Sequence, residues 1–200
     1  MSLNKPKSRP KIVCITGGIG SGKTTVAKML AEYGIPVYYA DEEAKKLTAT
    51  SPEIRHDLIE LLGSDTFKDG ILDRKFMADK IFNDKNLLAR TNAIIHPRVA
   101  RHFEEWVNNQ DSPYVLKEAA ILFESGSYKQ CDRTVLVTAP EELRIQRVME
   151  RDQVSEEEVR ARMKNQWSDS KKKKLSDFII ENTELRATQK AVEKLHLQLR

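Results

Sequence analysis

The run Gly17-Gly18-Ile19-Gly20-Ser21-Gly22-Lys23-Thr24 constrains this chain more than any other feature, because it satisfies G-x-x-x-x-G-K-[ST] at every specified position. Glycines let the backbone curl until successive N–H groups point inward at a phosphate, where side chains would collide. A helix that begins at the end of such a loop presents its positive N-terminus to the same anion. Both flanks agree with this. Lys11–Thr16 (KIVCIT) is a short apolar run rich in β-branched residues, as in a buried strand. From Gly22 onward, Val26, Leu30 and Tyr33 are spaced i, i+4, i+7 along one helical face. A chance glycine turn would lack this context. The loop residues Gly18, Ile19, Gly20, Ser21, Gly22, Lys23, Thr24 and Thr25 are therefore expected to bind a nucleotide. In that site Lys23 bridges the β- and γ-phosphates and the Thr24 hydroxyl is a ligand for Mg²⁺.

Gly34 closes the helix, and Pro36–Ala40 (PVYYA) reads as a second strand running into Asp41. Strand, helix and strand within about thirty residues make a βαβ unit, hence a parallel sheet with a right-handed crossover. No strand is expected from about Asp41 to Asn109; Glu53–Leu62, Arg74–Asn83 and Arg98–Val107 have helical spacing, interrupted by Gly63, Gly70 and Pro97. Strands resume at Tyr114–Lys117 and Thr134–Thr138, with Phe178–Glu181 as a third. Pro140 marks a helix start with Glu141 and Glu142 in the first turn, and Ser155 with Glu158 makes a capping box. A last helix over Glu184–Leu199 is expected to bury Leu185, Val192, Leu195 and Leu199. The expected fold is a three-layer α/β/α arrangement of the P-loop NTPase type, with a five-stranded parallel sheet, in a single domain over 11–200. Its nucleotide-binding core comprises 11–40, 110–150 and 170–200; residues 41–109 form a helical insertion that binds the acceptor, 151–169 a lid, and 1–10 a flexible tail.

Composition narrows the function classes. At 200 residues, with 40% hydrophobic and 32% charged, the chain is expected to be a soluble globular protein. The net charge of +4 comes from 34 basic and 30 acidic residues interspersed along the chain, which argues against a nucleic-acid partner. No run approaches the ~18 apolar residues that cross a bilayer, and the polar start from Met1 to Pro10 is expected to be neither a signal peptide nor an anchor. Cys14 and Cys131 form no C-x-x-C and have no histidine at ligand spacing. They argue against a disulfide framework or a zinc site and for a reducing cytoplasm, with Cys14 simply part of the core. Guanine-reading N-K-x-D and switch D-x-x-G motifs are absent. What remains is a metabolite or nucleoside kinase, expected as a monomer or weak homo-oligomer. A nucleotide-dependent switch or a nucleic-acid-stimulated ATPase stands as the alternative.

Beyond the loop, the chain carries Ala40-Asp41 at a strand end, NAIIHPRV at Asn92–Val99 and ILFESG at Ile121–Gly126. RVMERD follows at Arg147–Asp152, then RMKNQ at Arg162–Gln166 and SDFIIEN at Ser176–Asn182. In this ordered set the sequence resembles the dephospho-CoA kinases, over nearly its whole length from Ile12 to Asn182. The resemblance implies transfer of the γ-phosphoryl of ATP, with Mg²⁺, to the ribose 3′-hydroxyl of dephospho-CoA. Under it, Lys23, Asp41 and Arg147 are the catalytic set. Asp41 suits an acceptor-orienting base at the crevice, and equally an N-cap for a helix starting at Glu42. Arg147, Arg151 and Asn182 join the loop in holding ATP, with Asn182 assigned to the base. Arg74, His96 and Arg162 join Asp41 at the acceptor, His96 shaping its pocket. Glu118, where relatives carry Asp, joins Thr24 as the acidic group toward Mg²⁺. Arg144, Arg147 and Arg151 share a helical face, as arginines that fork onto polyphosphate would; Arg147, Arg151 and Arg162 match the family, whereas Arg144 and Arg160 read as solvated charge. Glu124 is equally read as functional or as a structural ion-pair partner, and Lys171–Lys174 as a solvated turn.

Overall fold

The computed structural model describes residues 9–82 and 84–200. The expected tail over 1–10 thus lies almost wholly outside the described residues, as does Asn83. In chain order, β1 (Lys11–Gly17) feeds the glycine loop, α1 (Lys23–Glu32) follows, and β2 is Val37–Tyr39. Next come α2 (Ala40–Thr50), α3 (Pro52–Leu62), the two-residue strands β3 (Phe67–Lys68) and β4 (Ile71–Leu72), α4 (Arg74–Phe82) and α5 (Lys85–Asn108). The chain continues with β5 (Tyr114–Glu118), β6 (Arg133–Thr138), α6 (Glu141–Asp152), α7 (Glu156–Met163), α8 (Asp169–Lys173), β7 (Phe178–Glu181) and α9 (Leu185–Leu199).

Two compact units result: the described residues up to Tyr39 together with Asn108–Arg200, and Ala40–Val107. The first is the α/β/α layer structure, whose five parallel strands run in the order β2-β5-β1-β6-β7. Its central strand β1 is buried from Ile12 to Gly17, which accounts for the unbroken apolar run rather than an alternating one. Val13 and Ile15 face a core shared with Val26 and Leu30 of α1 and Val192, Leu195 and Leu199 of α9. Because β5 and β6 flank β1 on opposite sides, the chain reverses its winding direction there. The loop after β1 therefore opens at the switch point of the sheet, where α/β folds bind ligands.

Leu185, expected in the α9 core, is instead 61% exposed, because it occupies the first helical position and α9 turns Thr188, Val192 and His196 inward. His196 Nδ1 is hydrogen-bonded to the buried Tyr114 hydroxyl at 2.7 Å. Tyr33, at the end of the expected α1 face, is half exposed and stacks on His196. The capping box of α7 is formed as expected, with Ser155 and Glu158 bonded reciprocally.

The cysteines overturn the expectation of free thiols: Cys14 and Cys131 are joined in a disulfide, with Cα atoms 5.8 Å apart. Parallel pairing sets Cys14 opposite Thr134, so Cys131, three residues upstream of Thr134 at the entry to β6, reaches back to β1. A sequence separation of 117 conceals this proximity.

The second unit is helical around Ile54, Leu58, Leu62, Phe67 and Leu72. Ser51 caps α3 by accepting from Ile54 N, with Pro52 in the first turn. Two expectations change here. A short antiparallel hairpin, β3–β4, occupies the stretch expected to lack strands. Pro97 lies inside the continuous α5 rather than breaking it. Proline removes the donor to the Ala93 carbonyl; one residue on, the Arg98 guanidinium donates to the Ile94 carbonyl at 2.8 Å.

Candidate functional site

The glycine loop is held from behind by side chains of three separate segments. Ser21 N donates to Gly18 O at 3.0 Å, which closes the turn. Asn182, just past β7, donates from Nδ2 to Ser21 O at 2.9 Å and accepts at Oδ1 from the Thr188 hydroxyl at 3.1 Å. Arg144 of α6 donates from Nε to Ile19 O at 2.9 Å. Gln166, beyond α7, accepts from Ile19 N at 2.8 Å. Gly20 and Gly22 sit at φ +77° and +84°, and a Cβ at either would run into Arg144 backbone or the Asn182 amide respectively. The loop is therefore packed as tightly on its back as it is open on its front. Gly20, Gly22, Lys23, Thr24, Arg147 and Arg151 line a cavity of about 340 Å³ there. The first-turn N–H groups of α1 have no partner within the helix and add to this positive rim.

Lys23 is paired with an acid: its Nζ lies 3.5 Å from Glu118 Oε1, and the Glu118 side chain is 7% exposed. Sheet register brings them together, since Glu118 ends β5 opposite Ile15 of β1, two residues before the loop. Arg147 spans to the strand end after β7, donating to Asn182 O at 3.0 Å and Thr183 O at 3.4 Å. Arg151 and Arg162 converge on Asp152, at 2.7 and 2.9 Å. The Arg151 hydrogen bond is the largest cause holding the Asp152 carboxyl below its usual range, against a smaller opposing effect of burial. Arg160 is enclosed by Glu141, Glu142 and Glu156.

Behind the loop lies a second cavity of about 440 Å³, lined by Arg144, Arg160, Gln166, Trp167 and Asp169 among others. One wall of this region is tied to the segment after β5. Glu124 Oε1 accepts from Trp167 N at 2.9 Å and pairs with Lys172 Nζ at 3.0 Å. Burial by itself would raise the Glu124 carboxyl. The Trp167 N–H, Glu124's own backbone and Lys172 outweigh burial and hold it below the usual range.

Several expectations change in detail. Arg144 is not solvated: it is buried, clamps Ile19 and pairs with Asp169 at 3.2 Å. Asn182, assigned to the adenine base, has its amide engaged beneath the loop instead. Lys172, read as part of a solvated turn, is fully buried against Glu124, although Lys171, Lys173 and Lys174 are exposed. Asp41 is neither a strand end nor a cap, because α2 starts at Ala40; it lies in the exposed first turn, where the helix dipole favours an acid. Asp41, Arg74 and His96 all stand in the second unit. There Arg74 opens α4 and donates to Lys45 O at 3.4 Å, and His96 is exposed on α5 beside Pro97. The first unit brings together Gly18–Thr25, Glu118, Arg147, Arg151 and Asn182, with Arg162 tied to Arg151 through Asp152. Reading the sequence missed Arg144, Thr188 and Lys172 as supports of this region. Gln166 ends the RMKNQ segment that carried the resemblance, so a signal for it was present.

Among the described residues no group of three or more His, Cys, Asp or Glu could hold a metal ion. What the loop offers is one buried carboxylate, Glu118, and the Thr24 hydroxyl. That donor set fits Mg²⁺, which takes one or two protein oxygens and completes its shell with phosphate and water. Among the described residues no helix is long and apolar enough to cross a membrane.

Known proteins share this sequence and fold. The family model described as dephospho-CoA kinase matches residues 11–187. A dephospho-CoA kinase of Bacteroides fragilis is 43% identical over 169 residues, covering 84% of this chain and 82% of its own. A crystal structure from Thermus thermophilus superposes with a TM-score of 0.87 at 35% identity, over 96% of this chain and 98% of that one. The dephospho-CoA kinase of Campylobacter jejuni superposes with a TM-score of 0.62, over 96% and 98%; at 22% identity it speaks to the fold alone.

Proposed function

This chain belongs to the dephospho-CoA kinase family, and on that premise we propose how its residues divide the work of phosphorylating the ribose 3′-hydroxyl of dephospho-CoA from ATP. The observation that carries the reading is the clamped glycine loop with Lys23 paired to Glu118 at 3.5 Å. A lysine held against a buried acid at the foot of the loop is poised to shift its charge onto a polyphosphate when one arrives.

In this reading the loop N–H groups and Lys23 hold the β- and γ-phosphates, and Arg147 and Arg151 add charge from the α6 side of the cavity. Asp41 orients the acceptor hydroxyl and takes its proton as the oxygen bonds to the γ-phosphorus. The bond from that phosphorus to the β–γ bridging oxygen breaks, and ADP leaves with the electron pair. Thr24 and Glu118 would hold Mg²⁺, Glu118 directly or through water; the ion supplies charge neutralisation on the phosphate oxygens. Arg74, His96 and Arg162 belong to acceptor binding. Arg162 is supported by its link through Asp152 to Arg151, which lines the phosphate cavity. The absence of a nucleic-acid partner and a monomeric or weakly self-associating state remain part of the reading. Cytoplasmic residence does too, although a reducing compartment would not maintain the Cys14–Cys131 bond.

The test is a coupled ADP-release assay across acceptors. Dephospho-CoA should stimulate release and become phosphorylated, and nucleoside monophosphates should not. Stimulation by a nucleoside monophosphate alone, or nucleic-acid-stimulated hydrolysis without a phosphorylated product, would overturn it.

A further inference from the structure

Ile19 is the loop residue gripped on both sides of its backbone. Its carbonyl accepts from Arg144 Nε at 2.9 Å and its N–H donates to Gln166 Oε1 at 2.8 Å. Both grips are anchored. Arg144 is 10% exposed in its side chain and pairs with Asp169. Gln166 precedes Trp167, whose N–H is bonded to Glu124, and Lys172 fastens the same segment to Glu124. The stretch 166–172 is thus a fixed strap, and α7 ends at Met163, three residues before Gln166.

We propose that Gln166 is a positioning residue for the nucleotide: by occupying the Ile19 N–H from behind, it holds the loop so that the N–H groups of Gly20 and of Gly22 to Thr24, the residues that line the phosphate cavity, stay aimed into it. The inference rests on the nucleotide-binding reading of that cavity. A free loop samples many backbone orientations, and each that turns an N–H away loses affinity for the anion. A side-chain amide suits the role because it accepts from the N–H without placing negative charge behind a phosphate site. Gln166 is half-buried, and its proposed action on the nucleotide runs through Ile19.

The experiment uses the full chain, with calorimetric titration of MgATP and hydrogen exchange over 17–22. Gln166→Met keeps the length and removes the acceptor. It should bind MgATP about tenfold more weakly, the scale of one backbone hydrogen bond. Exchange at Ile19 should accelerate, KM for ATP should rise while KM for the acceptor is unchanged, and Tm should stay within about 2 °C. Gln166→Glu retains an acceptor oxygen and should restore slow exchange at Ile19. Should Gln166→Met melt early, Gln166→Glu and Gln166→Ser carry the same comparison at lower temperature. Wild-type affinity together with wild-type Ile19 exchange in Gln166→Met overturns the proposal. So does weakened affinity with faster exchange over 156–163 but not at Ile19, which would assign Gln166 to α7. If the wild-type chain fails to bind MgATP, the nucleotide reading fails, while Ile19 exchange still decides whether the clamp exists.

Discussion

Replacing Lys172 by methionine tests whether the strap behind the glycine loop is held by charge. Lys172 is fully buried and Glu124 is 13% exposed in its side chain, with 3.0 Å between Nζ and Oε1. Removing one member of a buried pair strands the other and typically costs about 3–5 kcal/mol. For a chain of this size each kcal/mol lowers Tm by roughly 2–4 °C, so the bracket runs from roughly 6 to 20 °C. The lower half is expected, because Trp167 N–H still donates to Glu124 at 2.9 Å. The pH dependence follows from the depressed Glu124 carboxyl. In the wild type its contribution is full above the unfolded value of 4.5 and disappears as pH falls through the lower folded value. In Lys172→Met, burial opposes fewer hydrogen bonds and the folded carboxyl moves up. The deficit should therefore be largest at pH 7 and narrow as pH falls through the raised carboxyl value of the variant toward the wild-type value, which lies below 4.5. Adding Glu124→Gln should recover much of the loss, since no buried charge is then left over. Thermal unfolding of the three proteins from about pH 3.5 to 8, followed by circular dichroism, decides it. A Lys172→Met Tm within about 2 °C of wild type at pH 7, or a double variant no better than the single, would refute the reasoning.

Asp41→Asn should lower kcat by about a hundredfold or more while MgATP affinity changes less than about threefold, measured by single-turnover kinetics and titration; unchanged turnover removes Asp41 from the role of base. Lys23→Ala should lose at least about a hundredfold in turnover and also weaken ATP binding, and normal kinetics would undercut the loop assignment. The Cys14–Cys131 disulfide closes a span of 117 residues, so reduction should cost up to roughly 4–5 kcal/mol in the chain-entropy account. Denatured, unreduced protein should present no titratable thiol; a count of two thiols would contradict the bond.

Much of the donor half of the site is local in sequence. Strand, loop and helix from Lys11 to Glu32 are contiguous, and the loop's chemistry follows from backbone conformations that glycine permits and from a lysine and a threonine at set offsets. Apolar runs and turn residues likewise mark the strands to within a residue or two, because burial on both faces of a parallel sheet demands them. The capping box at Ser155 is local in the same way.

Other features depend on register and on which side of a helix faces inward, which no short window contains. Arg144 and Arg147 look alike in a helical row, yet one is buried against Ile19 and the other reaches Asn182 and Thr183. Lys172 is indistinguishable from its three neighbours until Glu124, 48 positions away, is folded against it. Cys131 meets Cys14 only through the β1–β6 pairing. A peptide motif can specify a phosphate cradle because its donors are its own backbone. What holds that cradle from behind is a set of long-range side-chain contacts, and only the tertiary structure decided those.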